Sequence, residues 1–285
     1  MEEFISRKYV SYLIGYLGTV GFAANLHYLP LAIAIYTTIW TILGGVERVD
    51  AGFKWFIFLT NWSYTFLNVH FIISALLPAY YHYVYTQRKV LACDSNDNED
   101  PDKQEIGQLN LESARPDDDK PDSNLRHPRM LILSFKASWV IFNIAANLAP
   151  LVTVMYWAFD YVPGQFVDAS SANAHALNTL LMIIDIMICN VPFRLLHFIY
   201  PMFYALVYTS FTVIYWAVGG TNHRGEKYIY AIMDYEKNAG LAFIMAAMFV
   251  FLAIPVSQFL LYGLYRFRVW LVTRRHRPLN KAQKL

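Results

Sequence analysis

Long apolar runs broken by short polar intervals dominate the chain, beginning near Leu29, Trp55, Leu131, His175, Leu196 and Ala239. A bilayer core about 30 Å thick needs roughly 20 apolar residues per helical crossing, and five of the six runs approach or exceed that length. The pattern therefore predicts an all-α fold, a polytopic membrane bundle of about six transmembrane helices. The run from His175 to Val191 is the shortest and most polar, which makes it a natural place to look for chemistry.

The remaining stretches fall between these runs. Val10 to Gly45 carries no formal charge, yet it is too long for one crossing and leaves no loop between two. Residues 1–24 therefore read as a cytoplasmic N-terminal segment, with Tyr9 to Phe22 an interfacial helix or tilted entry. Transmembrane helices 1 and 2 fall in 25–86, helices 3 to 6 in 131–263, and Pro78 is placed to kink the second. Residues 87–130 lose apolar periodicity and carry acidic runs at Asp94 to Asp102 and Asp117 to Asp119, the pattern of a disordered loop. Residues 264–285 form a basic tail.

Charge orients the bundle. Lys and Arg gather at Arg7 and Lys8, between Arg88 and Arg129, at Arg194, and from Arg266 to Lys284, and six crossings place all of these on one face. By the positive-inside rule both termini are expected in the cytoplasm. A chain that is 56% hydrophobic, 17% aromatic and only 15% charged is too apolar for an ordinary soluble domain. The sequence thus describes an integral membrane protein of the plasma membrane or endoplasmic reticulum. Cys93 and Cys189 are too few and too distant for a disulfide framework, and both are expected near the reducing face. No cleavable signal peptide is expected at the start.

Polar side chains inside hydrocarbon are costly and tend to face the bundle interior, so they are the best pointers to a site. The second run carries Thr60, Asn61, Ser63, Thr65, Asn68 and His70. Thr60 lies roughly 8 Å inside the outer boundary at 1.5 Å per residue, and His175 descends from the same boundary, so the two are expected to share a leaflet. On the fourth run His175, Asn178 and Asp185 form one polar stripe at about 100° per residue. Asp185 sits near mid-membrane and should be protonated or partnered, with Asn68 and Asn143 at comparable depth able to supply hydrogen bonds. Asn143 and Asn147 share a face. Asn, Thr and Ser also serve simply as hydrogen-bonding glue between helices, at about 0.6 kcal/mol each. Tyr200, Tyr204 and Tyr208 form a further stripe, expected to pack against neighbouring helices with their hydroxyls bonded. No histidine spacing suits a metal, no phosphate loop or dinucleotide fingerprint appears, and no cofactor is expected.

Several segments resemble the rolling stone family, membrane proteins associated in insects with myoblast fusion. They are Lys54 to Ser63 (KWFIFLTNWS), His175 to Asp185 (HALNTLLMIID), Pro192 to Tyr208 (PFRLLHFIYPMFYALVY), and Gly219 to Asn222 (GGTN) with Ile229 to Tyr235. A more distant similarity reaches the androgen-induced membrane hydrolases, which cleave fatty-acid esters of hydroxy fatty acids with an intramembrane Thr and His. In that resemblance Thr60 of Phe58 to Thr60 takes the place of the nucleophile. The base falls on His175 or on the position of Asn178, depending on whether Asp185 or Thr179 sets the alignment.

Three functions follow as expectations. The first is a rolling stone-type role in cell fusion or muscle development. The second is an intramembrane threonine hydrolase of fatty-acyl esters, with Thr60 and His175 catalytic and Asn61 or Asn178 supporting the oxyanion. The third is a small-solute transporter using the polar midplane around Asn68, Asn143 and Asp185. Membrane lipid is the expected partner, a lipid ester the candidate substrate, and nothing points to nucleic acid. The short outer loops exclude a large adhesive ectodomain.

Overall fold

The computed structural model describes residues 28–46, 54–96, 129–164, 166–189 and 191–275. The interfacial helix expected over Tyr9 to Phe22, most of the acidic loop and the end of the basic tail lie outside the described residues.

Helices account for nearly all of what is described. α1 spans Tyr28–Val46, α2 Leu59–Asn96 and α3 Arg129–Met155, the last continuing as a π-helical turn over Tyr156–Asp160. α4 begins at Ala169–Ala172, widens into a π turn at Asn173–Leu177 and finishes over Asn178–Ile188. α5 covers Ile199–Ala217 after a 3-10 turn at Leu195–Phe198. α6 comprises Ala239–Met248, a π turn at Phe249–Ala253 and Ile254–Arg275.

Among the described residues five stretches are long and apolar enough to cross a membrane: Leu29–Val46, Leu133–Asp160, Ala169–Ile188, Leu195–Ala217 and Ala239–Arg274. α2 is not among them, since Thr60, Asn61, Asn68 and His70 dilute its apolar character. It nevertheless packs between α1 and α3, burying Leu67 and Phe71.

Two boundaries differ from the sequence reading. α2 runs through Pro78 to Asn96, and α6 continues to Arg275 rather than ending near Tyr262. Residues such as Gln87, Arg88, Lys89 and Arg266 are good helix formers, so loss of hydrophobicity there ends the apolar stretch without ending the helix.

The bundle is assembled with polarity inverted relative to a soluble protein. Asn143, Asn147, Thr37 and Gln258 are fully buried, while Phe203 is 69% and Leu260 66% exposed. Lipid tails are as apolar as these side chains, so helix association rests on close packing and interhelical hydrogen bonds rather than on escape from water. Ala145, Ala146 and Ala149 give α3 a small-residue face on which Phe142, Leu67, Phe71, Met182 and Ile186 interlock. A second cluster joins Leu148 and Val152 of α3 to Tyr204 and Tyr208 of α5 and Val250 and Ile254 of α6.

The chain breaks between helices have local causes. The Asp168 carboxylate accepts from Ser171 N at 2.7 Å, capping α4, and the Asn238 side chain accepts from Leu241 N at the start of α6. Cys189 turns extended where α4 ends, and Pro192, which cannot continue a helix, follows before α5. The chain entering α2 from Lys54, the end of α3 at Asp160 and the segment 217–239 meet at one end of the bundle.

Candidate functional site

At that end the chain entering α2 is fastened to the segment between α5 and α6. Lys54 Nζ donates to Thr221 Oγ1 at 3.0 Å and to Asn222 O at 2.8 Å. Tyr208 donates from its hydroxyl to Ile57 O at 2.8 Å, and Leu59 N donates to the Tyr230 hydroxyl at 3.0 Å. Phe58 packs against the rings of Tyr230 and His223. Gly220 lies so close to Tyr215 that an added Cβ would sit 2.5 Å from its ring. Thr60 is therefore presented from a helix start held by several independent contacts.

His175 is presented by the π turn of α4. Its ring stacks on Tyr156 at 3.7 Å, only 3° from parallel, and its backbone carbonyl accepts from Trp157 Nε1 at 3.1 Å. Tyr156 belongs to the π turn that ends α3. Two π turns thus face each other, a geometry that redirects side chains and recurs at functional sites.

Between them lies a cleft lined by Thr60, Tyr156, Phe159, Asp160, His175 and Tyr230, with Leu59, Val152, Met155 and Ile232 completing an apolar wall. Its cavity volume is about 40 Å³, room for a few waters rather than for an enclosed acyl chain. A lipid would enter with its tail along the open side and only its polar end between the π turns. The Tyr230 hydroxyl interacts with those of Thr60 and Tyr208. Burial, which exceeds every other influence on it, pushes the pKa of this phenol above its ordinary value, so it stays protonated and can donate.

The other expected residues lie elsewhere. Asn61 Nδ2 donates to Trp55 O at 2.6 Å, bracing the helix start. Asn178 is buried against α3, where its Oδ1 accepts from Thr153 Oγ1 at 3.1 Å and from Thr179 N at 2.6 Å, and its Nδ2 reaches Ala149 O at 3.4 Å. Both amides are committed to structural bonds, and Asn178 does not line the cleft. Of the two positions suggested for a base, His175 is the one that does.

Asp185 takes neither of the amide partners expected for it. Its Oδ2 lies 3.0 Å from His70 Nε2, and both side chains are largely buried. Asn68 instead accepts from Thr37 at 3.0 Å and Thr38 at 2.9 Å. Asn143 Nδ2 bonds Trp139 O at 2.8 Å, and Asn147 Nδ2 reaches Asn143 O at 2.9 Å and Gln258 Oε1 at 2.6 Å. A charged or chargeable donor suits a buried carboxylate better than an amide, and His70 supplies one from the opposite helix. Arg268, itself buried, caps the carbonyls of Ile186 and Cys189 nearby. Of the tyrosine stripe, Tyr208 is bonded, whereas the Tyr204 hydroxyl has no hydrogen-bond partner among the described residues.

Tyr230 and Asp160 are not among the candidate site residues of the sequence analysis. Tyr230 carries a recoverable signal, since Ile229 to Tyr235 is aromatic-rich beside the GGTN turn. No histidine, cysteine, aspartate and glutamate grouping of metal-binding size occurs among the described residues.

The family described as Protein rolling stone matches residues 126–276, more than half of the chain. That segment holds α3 to α6, His175, Asp160 and Tyr230, while Thr60 precedes it. The Protein rolling stone of Drosophila melanogaster is 27% identical over 219 residues, covering 75% of this chain and 68% of the relative. No solved structure matches the chain. Residue pattern, bundle architecture and the match across its larger half agree: the chain belongs to the rolling stone family.

Proposed function

We propose that this rolling stone family protein acts in cell fusion or muscle development by cleaving fatty-acyl esters of membrane lipids at the cleft between Thr60 and His175. One observation carries the reading: a nucleophilic hydroxyl and an imidazole from helices far apart in sequence line one apolar cleft. With the Lys- and Arg-rich segments in the cytoplasm, the cleft opens near the exoplasmic surface of the plasma membrane or the lumenal surface of the endoplasmic reticulum.

In the first step the His175 imidazole takes the Thr60 hydroxyl proton as Oγ1 attacks the ester carbonyl. The tetrahedral oxyanion accepts from the Tyr230 phenol, and collapse expels the alkoxide, which leaves with the proton held by His175. Water then attacks the acyl-threonine with His175 again as base, releasing fatty acid and restoring Thr60. Removing one chain from a two-chain lipid leaves a wedge-shaped product that favours curved bilayers, the physical link to fusion.

The test is purified protein in nanodiscs with a fluorogenic acyl ester. Turnover by the wild type, lost in Thr60→Ala and His175→Ala, and a parallel loss of fusion in cells carrying those variants would support the reading. Full rescue of fusion by both variants would separate the biological role from the chemistry. Proton-coupled solute uptake dependent on Asp185 would favour a transporter instead.

A further inference from the structure

Asp160 is the charged side chain of the cleft. It stands at the mouth, exposed, where α3 ends, and neither Lys nor Arg lines the cavity. Among the described residues no basic side chain forms an ion pair with it. Its field nevertheless reaches inward, since it is one of the influences on the Tyr230 phenol. A lone carboxylate beside low-dielectric walls concentrates cations and repels anions.

The walls narrow the kind of cation. Tyr156, Phe159 and Tyr230 line the same cleft, His175 covers one face of the Tyr156 ring, and the negative π faces left uncovered attract a cation without supplying hydrogen-bond acceptors. A primary ammonium would give up its water shell and find too few acceptors in return. A divalent metal takes six or more oxygen ligands, and one carboxylate does not approach that. A quaternary ammonium has no N–H to satisfy, and its methyl groups suit the apolar surface of Met155 and Ile232.

We propose that the cleft holds a choline-type quaternary ammonium head group, with Asp160 as counter-charge and Tyr156, Phe159 and Tyr230 as an aromatic cage. Resting on the reading of the cleft as a lipid-ester site, this names its substrate class: acyl esters of choline-bearing lipids, with anionic head groups excluded. The bulky head group stays at the mouth beside Asp160, and the ester lies deeper, toward Thr60. Soluble choline esters share the recognised chemistry with bilayer phosphatidylcholine.

The test uses the full-length protein in neutral detergent with fluorescent diether lipids, which cannot be cleaved, so that binding is read apart from turnover. Matched probes carry either a phosphocholine or a phosphoglycerol head group. The wild type is expected to bind the choline probe at least about fivefold more tightly. Asp160→Asn should bring that preference to within about twofold, Phe159→Ala should weaken it, and Asp160→Glu should restore it. Competition by soluble phosphocholine assigns the site to the head group alone, whereas competition only by diether phosphatidylcholine assigns it to a bilayer lipid. Equal binding of both probes by the wild type would overturn the proposal. So would a preference unchanged in Asp160→Asn, as expected if Asp160 merely orients His175. A preference that persists while Thr60 proves unreactive would remove the hydrolase and leave the head-group site standing.

Discussion

Two polar regions of this bundle use the same residue types to opposite ends. In the cleft, Thr60, Asp160 and His175 front empty space between two π turns. In the other half, His70 and Asp185 face each other at 3.0 Å, with Arg268 closing the nearby carbonyls of α4. A histidine and an aspartate occur in each, so composition does not separate a reactive centre from a structural one. What separates them is whether the polar atoms are directed at one another or at a space a substrate can enter. The first arrangement costs little in stability if dismantled, whereas the second leaves a buried polar group without its hydrogen-bond partner.

That contrast is open to direct attack. The largest effect is expected from His175→Ala, with a fall in ester turnover of about 100-fold to 10,000-fold and a melting curve in detergent close to the wild type. Tyr230→Phe should lower turnover by about 100-fold, the scale of one lost oxyanion donor, while leaving the affinity for uncleavable lipid nearly unchanged. Asp185→Ala should reverse the pattern, lowering stability by about 1–3 kcal/mol because the buried His70 ring loses its hydrogen-bond partner, as read by reversible denaturation in mixed micelles. Gln258→Leu should cost about 1 kcal/mol, since it removes an interhelical bond to Asn147 of the kind that contributes modestly in membranes. If His175→Ala unfolds the protein while Asp185→Ala spares it, the roles of the two regions are exchanged.

The helices were legible because a bilayer imposes a length on every apolar run, and no tertiary detail can shorten it. Their ends were less so: Pro78 neither stops nor visibly divides α2, and the arginines beyond Tyr262 extend α6 because Arg268 finds carbonyl acceptors inside the bundle. Counting residues from a common boundary brings Thr60 and His175 to the same end of the bundle, where both line the cleft. Asp185 could be recognised as needing a partner, but naming His70 required the rotation of α2 about its axis, which periodicity leaves undetermined when polar residues occupy several faces. The π turns are invisible to a 3.6-residue period, and they are what turn His175, Tyr156 and Asp160 toward a common space. Tyr230 and Asp160 belong to segments between helices, where no repeating pattern constrains a side chain.

The most direct measurement is mass spectrometry of the purified, lipid-embedded protein after reaction with an alkyl fluorophosphonate. The account predicts an adduct on the Thr60 hydroxyl of the wild type, absent in His175→Ala although that variant remains folded. An unmodified Thr60 in active protein, or labelling that survives loss of the imidazole, would contradict it.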